Sequence, residues 1–389
     1  MTSCLGSGLE ATRAALREGR SGLAPCQFET VELATFVGEI AGVDEVRLPE
    51  ALAAFDCRNN RAAEMALRQD GFEEAVRGAV ERHGAGRVAV ILGTSTAGIL
   101  QTELAYRDRD PQGTLPTSFD YRRTHNTFSV AEYVRARLGL QGPCNAISTA
   151  CSSSAKSFAS AARMIEAGLC DAAIVGGVDT LCLTTLYGFD SLQLLSQDPC
   201  RPFDAQRDGI SIGEAAAFAL VERAGGEAQP QTLALLGIGE SCDAYHMSHP
   251  HPEGLGARMA MEAALASAGL ESRAIDYLNL HGTGTPANDA TEDLAVDALF
   301  EGLVPCNSTK GMTGHTLGAA GATEAVLSLL AIEESRLPAS PGTREVDPTL
   351  RSAYEIAGRA SNVARVMSNS FGFGGSNCSL VFGRLRDAA

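Results

Sequence analysis

Twice along these 389 residues a short apolar run ends in a Gly/Thr turn, at Ile91-Leu-Gly-Thr-Ser-Thr and at Leu280-His-Gly-Thr-Gly-Thr. Twice, too, a turn of small residues opens an Ala-rich segment, at Thr149-Ala-Cys-Ser-Ser-Ser and at Thr313-Gly-His-Thr-Leu-Gly. The two sets lie either side of Arg223–Gln231, whose paired glycines and proline mark a linker. A pattern repeated in this way suggests a duplicated fold with a site between its halves, here residues 1–225 and 226–389.

Between these turns, apolar runs of strand length alternate with longer Ala-rich segments, as in an α/β protein. The runs Arg87–Leu92, Ala172–Val175, Ala216–Val221, Tyr277–Leu280, Arg365–Ser368 and Ser379–Phe382 read as strands. Helices are expected over Leu9–Glu18, Asn60–Arg68, Phe72–His83, Ala155–Ala167, Ala257–Ala268, Glu292–Phe300 and Ala322–Glu334. Trp is absent and aromatics are 5% of residues, against 41 glycines and a 45% hydrophobic content, which suits closely packed elements.

Charge and cysteines narrow the function. A net charge of −16 repels phosphate backbones, so nucleic acid is excluded as a partner, and an acidic protein would have to dock on a local basic patch. The eleven cysteines are odd in number, scattered, and form no CxxC pair, so they read as buried thiols in a reducing compartment, with no metal site. No signal peptide or bilayer-length apolar run is present, and a soluble cytoplasmic protein is expected.

Cys151 sits where a strand leaves the core, turns tightly and enters a helix. Backbone N–H groups and the helix dipole there favour a thiolate nucleophile, yet a small buried thiol packed on the sheet fits equally well. His281 stands directly after an apolar strand in a Gly-rich loop, either chemically active or satisfied within the core. Asp289 and Glu292, three apart, share a helix side and read as a cap or a solvated face. His315 lies in Lys310-Gly-Met-Thr-Gly-His-Thr-Leu-Gly, where close backbone approach serves a ligand or a helix packing. Lys310, if buried, needs an acidic partner, and Glu324 is in reach. Phe371-Gly-Phe-Gly-Gly-Ser-Asn and Gly93-Thr-Ser-Thr-Ala-Gly98 lack the spacing of phosphate-binding loops.

In this order, Thr149-Ala-Cys-Ser-Ser, Ile174-Val-Gly-Gly, Arg201-Pro-Phe-Asp…Arg207-Asp-Gly, His281-Gly-Thr-Gly-Thr-Pro, Lys310…Gly314-His315 and Asn369-Ser-Phe-Gly-Phe-Gly-Gly resemble the β-ketoacyl-acyl-carrier-protein synthase I/II family over the whole chain. The resemblance implies a five-layer αβαβα thiolase fold, a homodimer, no cofactor and an acyl-carrier-protein partner. It implies an acyltransferase that loads an acyl group on Cys151 and condenses it with malonyl carrier, with loss of CO₂. His281 and His315 would then face the malonyl thioester, with Lys310 and Glu324 as a supporting ion pair. Asp289 and Glu292 would shape the loop after His281. The backbone N–H groups of Cys151 and Phe373 would form an oxyanion hole, with Phe373 gating the thiol. Thr96 would set pocket depth, and Arg58, Arg61, Arg122 and Arg123 would greet the carrier. A polyketide-type or aryl-polyene-type ketosynthase shares this chemistry. A thiolase lacks the paired histidines, and a cysteine hydrolase fits less well still. A non-catalytic chain-length subunit, partnered in a heterodimer, usually lacks the cysteine.

Two departures stand out. The family normally begins with an apolar strand before its first Gly-rich turn; Met1-Thr-Ser-Cys-Leu-Gly starts within that turn, so a core strand is expected to be missing. Gln193 stands where several relatives carry a basic residue that meets the carrier.

Overall fold

The computed structural model describes residues 1–225 and 229–387, so the centre of the expected linker, 226–228, and the boundary after residue 225 lie outside the described residues. Two six-stranded sheets carry the fold. The first contains β1 (Thr2–Ser3), β2 (Val88–Gly93), β3 (Cys144–Ile147), β4 (Ala172–Asp179) and β5 (Ala215–Glu222), in the spatial order β1-β5-β4-β2-β3, with Gly6–Ser7 at its edge. The second contains β6 (Leu233–Cys242), β7 (Tyr277–Asn279), β8 (Pro305–Asn307), β9 (Val366–Gly372) and β10 (Ser376–Arg384), in the order β6-β10-β9-β7-β8, with Ala353–Tyr354 at its edge. Five strands of each sheet correspond, and the sixth lies at opposite edges. β2 runs parallel to β3 and β4, as β7 does to β8 and β9, and the antiparallel pairs β4/β5 and β1/β5 correspond to β9/β10 and β6/β10.

Strand periodicity explains the layers. Along β2, Val88, Val90 and Leu92 face outward into a cluster with helices α1 (Arg58–Leu67), α2 (Phe72–His83) and α3 (Ser129–Arg137), whereas Ala89 and Ile91 face inward. The inward cluster joins both sheets through α4 (Ser153–Glu166), and the outer face of the second sheet packs on α5 (Leu255–Ala268) and α6 (Pro286–Phe300). The inner layer is completed by α7 (Ala320–Glu334), buried on nearly every side. Small residues permit this: a Cβ on Gly321 of α7 would stand 2.5 Å from the Ala155 nitrogen of α4. This is the five-layer αβαβα architecture expected.

Several boundaries differ from expectation. Where a core strand was expected to be missing, the two residues of β1 pair with Ala215 and Ala216, and the Met1 amine beside them is buried 3.6 Å from the Asp70 carboxylate. Strand β6 was invisible to apolar patterning because Gly237 and Gly239 interrupt it, yet α5 lies so close that a Cβ on Gly239 would fall 1.9 Å from the Ala260 carbonyl oxygen. Helix α6 starts at Pro286, six residues before the expected Glu292, because proline pre-sets the first helical turn. Among the described residues, no helix is long and apolar enough to cross a membrane.

Candidate active site

The turn from β3 into α4 presents Cys151. Ala150 is forced into the left-handed region at φ 51°, a conformation costing about 1–3 kcal/mol in a residue with a side chain. Serines hold it there: Ser153 Oγ donates to the Ala150 carbonyl (2.6 Å) and accepts from the Thr149 N–H (2.9 Å), while Ser152 Oγ donates to the Thr149 carbonyl (2.9 Å). The thiol, 7% exposed, lies at the wall of a cavity of about 280 Å³ that is also lined by His281, His315, Thr283, Phe189 and Phe373.

His281 follows β7, and His315 occupies the turn between β8 and α7, the counterpart of the turn that carries Cys151. His315 Nε2 and Cys151 Sγ share a hydrogen bond of 2.9 Å, and the two imidazoles meet edge to face with centroids 5.4 Å apart. Lys310 is fully buried: its ammonium pairs with Glu324, donates to the His281 carbonyl (2.5 Å) and stands 3.4 Å from His281 Nδ1. An ammonium has only donors to offer, so it makes Nδ1 an acceptor and leaves the proton of neutral His281 on Nε2.

Burial, reinforced by the Lys310 charge, holds both histidines well below the usual imidazole range. Burial also pushes the Cys151 thiol up to about 11, against the opposing pull of Lys310 and the Phe373 N–H. Burial at Cys151 thus opposes the thiolate that the helix start favours, and at the histidines it favours the neutral imidazoles. Burial likewise raises Glu324 and Glu292 to about 7 each, Lys310 opposing it at Glu324 and two backbone N–H groups at Glu292. Cys151, His281 and His315 place one donor atom each within 4.8 Å of one another, but the adjacent ammonium disfavours a metal cation there.

Asp289 and Glu292 are not a solvated face. Both are buried on α6: Glu292 accepts from the N–H groups of His281 (2.8 Å) and Gly282 (2.7 Å), and Asp289 from those of Phe203 (2.7 Å) and Gly284 (3.2 Å). Together they fix the loop that aims His281. Phe373 directs its backbone N–H at Cys151, while its ring is 37% exposed and packs on Phe189 at 5.8 Å, so it is not a core residue.

Thr96 is buried, and its N–H and hydroxyl bind the Asp179 carboxylate at 2.9 and 2.8 Å. One expectation fails on geometry. Arg58 cannot meet a carrier, being 4% exposed and held bidentate by the buried Glu214 as well as by Glu39 and Asp44. Its place at the start of an Ala-rich helix gave no hint of this. Arg61 is engaged by Asp56, whereas Arg122 and Arg123 are exposed, pairing with Glu132 and Asp120, and Gln193 is exposed at φ 57°. The sequence reading missed Phe189 and the segment Ser248-His-Pro, which also line the cavity. Only the helical pattern around Phe189 could have drawn attention to it.

Residues 1–225 match the family model for the β-ketoacyl synthase N-terminal domain, and residues 233–344 that for its C-terminal domain. The 3-oxoacyl-acyl-carrier-protein synthase 2 of Vibrio cholerae is 32% identical, with 99% of this chain and 97% of that protein covered. The synthase of the same description from Staphylococcus aureus is 32% identical over 87% of this chain and 90% of its own length. Among solved structures, a chain from the complex of a ketosynthase (ApeO) with its chain length factor (ApeC) from Xenorhabdus doucetiae superposes with a TM-score of 0.89 at 39% identity, covering 98% and 95%. A β-ketoacyl synthase from Burkholderia phymatum gives 0.86 at 29%, covering 99% and 97%.

Proposed function

The chain belongs to the β-ketoacyl synthase family and is a 3-oxoacyl-acyl-carrier-protein synthase of thiolase fold, and from that premise we propose how its own residues divide the reaction. The observation that carries the reading is the contact of Cys151 Sγ with His315 Nε2 at 2.9 Å, with His281 beside them on the same cavity.

In the first half-reaction the sulfur of Cys151 attacks the acyl thioester of the carrier. The thiol gives up its proton as the departing carrier sulfur takes one up, with His315 Nε2–H donating to the Cys151 sulfur, and the acyl group is left on Cys151. In the second, malonyl carrier loses CO₂, and the electrons of the broken C–C bond delocalise onto the thioester oxygen. His281, its proton fixed on Nε2 by Lys310, and His315 in its Nε2–H tautomer donate to that oxygen. The resulting carbon nucleophile attacks the acyl carbon, and the N–H groups of Cys151 and Phe373 receive the tetrahedral oxyanion. Its collapse expels Cys151 sulfur, which takes up a proton to restore the thiol.

The same reading has two similar halves, residues 1–225 and 226–389, with the site between them, in a cytoplasmic protein that needs no cofactor. Arg122 and Arg123 are the two arginines of the expected patch exposed enough to meet an acidic carrier. The chain would act as a dimer. The 39% identity to a chain of a ketosynthase–chain length factor complex favours a ketosynthase-like second subunit over a homodimer. A non-catalytic role for this chain has no such support, since cysteine and both histidines are in place. Intact-mass analysis with a panel of acyl carriers tests the assignment: one acyl adduct is expected, lost in Cys151→Ala, alongside malonyl-carrier decarboxylation. An adduct that survives the substitution overturns it.

A further inference from the structure

At the end of β4 the carboxylate of Asp179 is buried completely, and among the described residues no cation pairs with it. It accepts instead from neutral donors on two other segments. After β2 these are Thr94 Oγ1 (2.6 Å), the Ser95 N–H (2.9 Å) and Oγ (2.7 Å), and the Thr96 N–H (2.9 Å) and Oγ1 (2.8 Å). From the other half of the molecule comes the N–H of Gly318 (2.5 Å), three residues beyond His315. Ser95 Oγ also accepts from that N–H at 2.9 Å. The junction is tight, since a Cβ on Gly318 would meet Asp179 Oδ2 at 2.6 Å.

Both turns tied here are strained. Ala97 stands at φ 47° and Leu317 at φ 52°, left-handed conformations that persist only where surrounding bonds dictate them. Leu317 lies two residues after His315 and directly before Gly318, which makes the Asp179 contact, so the carboxylate fixes the backbone that aims the imidazole. We propose that Asp179 is a positioning residue of the condensation: it locks the His315 turn of one half against the Thr94–Thr96 turn of the other. The charge is felt at the thiol, where it acts in the same direction as burial. A bare carboxylate is needed because a carboxamide at this point would turn one set of donors against another.

This inference rests on the reaction assigned above, so its test keeps the two apart. Wild-type protein must first decarboxylate malonyl carrier; if it does not, the assignment fails and not the role of Asp179. In Asp179→Asn, kcat for decarboxylation is expected to fall by about ten- to a hundredfold, the scale of a misplaced catalytic group, with KM unchanged. Alkylation of Cys151 by iodoacetamide should accelerate, because a negative charge has gone. Asp179→Glu keeps the charge but lengthens the arm, so it should lose kcat while alkylation stays slow. Ser95→Ala, which removes only the bridging hydroxyl, should show a smaller loss of kcat and serves where Asp179→Asn does not fold. Wild-type kcat in folded Asp179→Asn, or in its absence wild-type kcat in Ser95→Ala, would overturn the proposal.

Discussion

The turn from β3 into α4 and the turn from β8 into α7 occupy equivalent places in the two halves, yet they are held by opposite means. Around Cys151 the supports are serine hydroxyls, each making one or two neutral hydrogen bonds to a strained backbone. Around the histidines they are ionisable groups taken wholly out of water: Lys310, Glu324, Asp289 and Glu292. The difference follows from what each turn must present. A thiol needs only a point in space, which backbone geometry fixes. An imidazole must also carry its proton on the right nitrogen, and that takes a neighbour of known charge. One supersecondary device, used twice, thus yields a nucleophile on one side and His315 on the other, where the loop after β7 adds His281.

The largest expected effect lies on the ionic side. Glu324→Ala leaves the Lys310 ammonium buried without its partner and should cost about 3–5 kcal/mol of stability in denaturant unfolding. Ser153→Ala, the matching change on the thiol side, removes one neutral hydroxyl and should cost about 1–3 kcal/mol. Equal losses would erase the distinction between the halves.

His281→Ala sharpens the same contrast in rate. Removal of one preorganised donor should lower malonyl-carrier decarboxylation by about 10²–10³-fold, while acyl transfer to Cys151, measured by intact mass, falls far less. If both half-reactions fall together, His281 serves the thiol or the fold instead.

The thiol side has its own signature in pH. With Cys151 pushed up to about 11, its alkylation rate should keep climbing, without a plateau, to pH 10. The sign for stability follows. Between about pH 9 and pH 11 the unfolded chain releases a proton that the folded site retains, so this group's contribution to stability is lost as pH rises through that window. A plateau near neutral pH would mean that the start of α4 outweighs burial.

How far these arrangements could be read in advance depended on whether the physics was local. Leu9–Glu18 and Phe72–His83 form as expected because apolar periodicity and the glycine that ends each, Gly19 and Gly84, are local in sequence. Cys151, His281 and His315 were legible because glycines and small residues flank them in sequence. Strand β6 was not, since its glycines answer to α5, a separate element whose approach no local pattern announces. Arg58 failed for the same reason: Glu214, which claims it, lies 156 residues away. Charge on a side chain says what it can bind and leaves open whether the partner is a carrier or the protein's own core.

Phe373 offers the finest cut between the halves, because its backbone serves the thiol while its side chain faces the cavity. Gly374 and Gly375 sit at φ 80° and 75°, and nothing stands within 4 Å of where a Cβ on Gly374 would be. The loop can therefore move its one large side chain without backbone strain. Its anchors are backbone bonds, from the Gly374 N–H to the Met247 carbonyl (2.7 Å) and from the Asp243 N–H to the Gly375 carbonyl (2.9 Å), and these survive a change of side chain. Phe373→Ala should leave the oxyanion donor in place while opening the acyl thioester to water. Hydrolysis of acyl-Cys151 is expected to rise a few-fold and condensation to fall by a similar factor, followed by mass spectrometry of the acyl-enzyme and by product release. A lower melting temperature with both rates unchanged would make the ring mere packing against Phe189, and the gate would then have to be sought in Phe189 or in Ser248–Pro250.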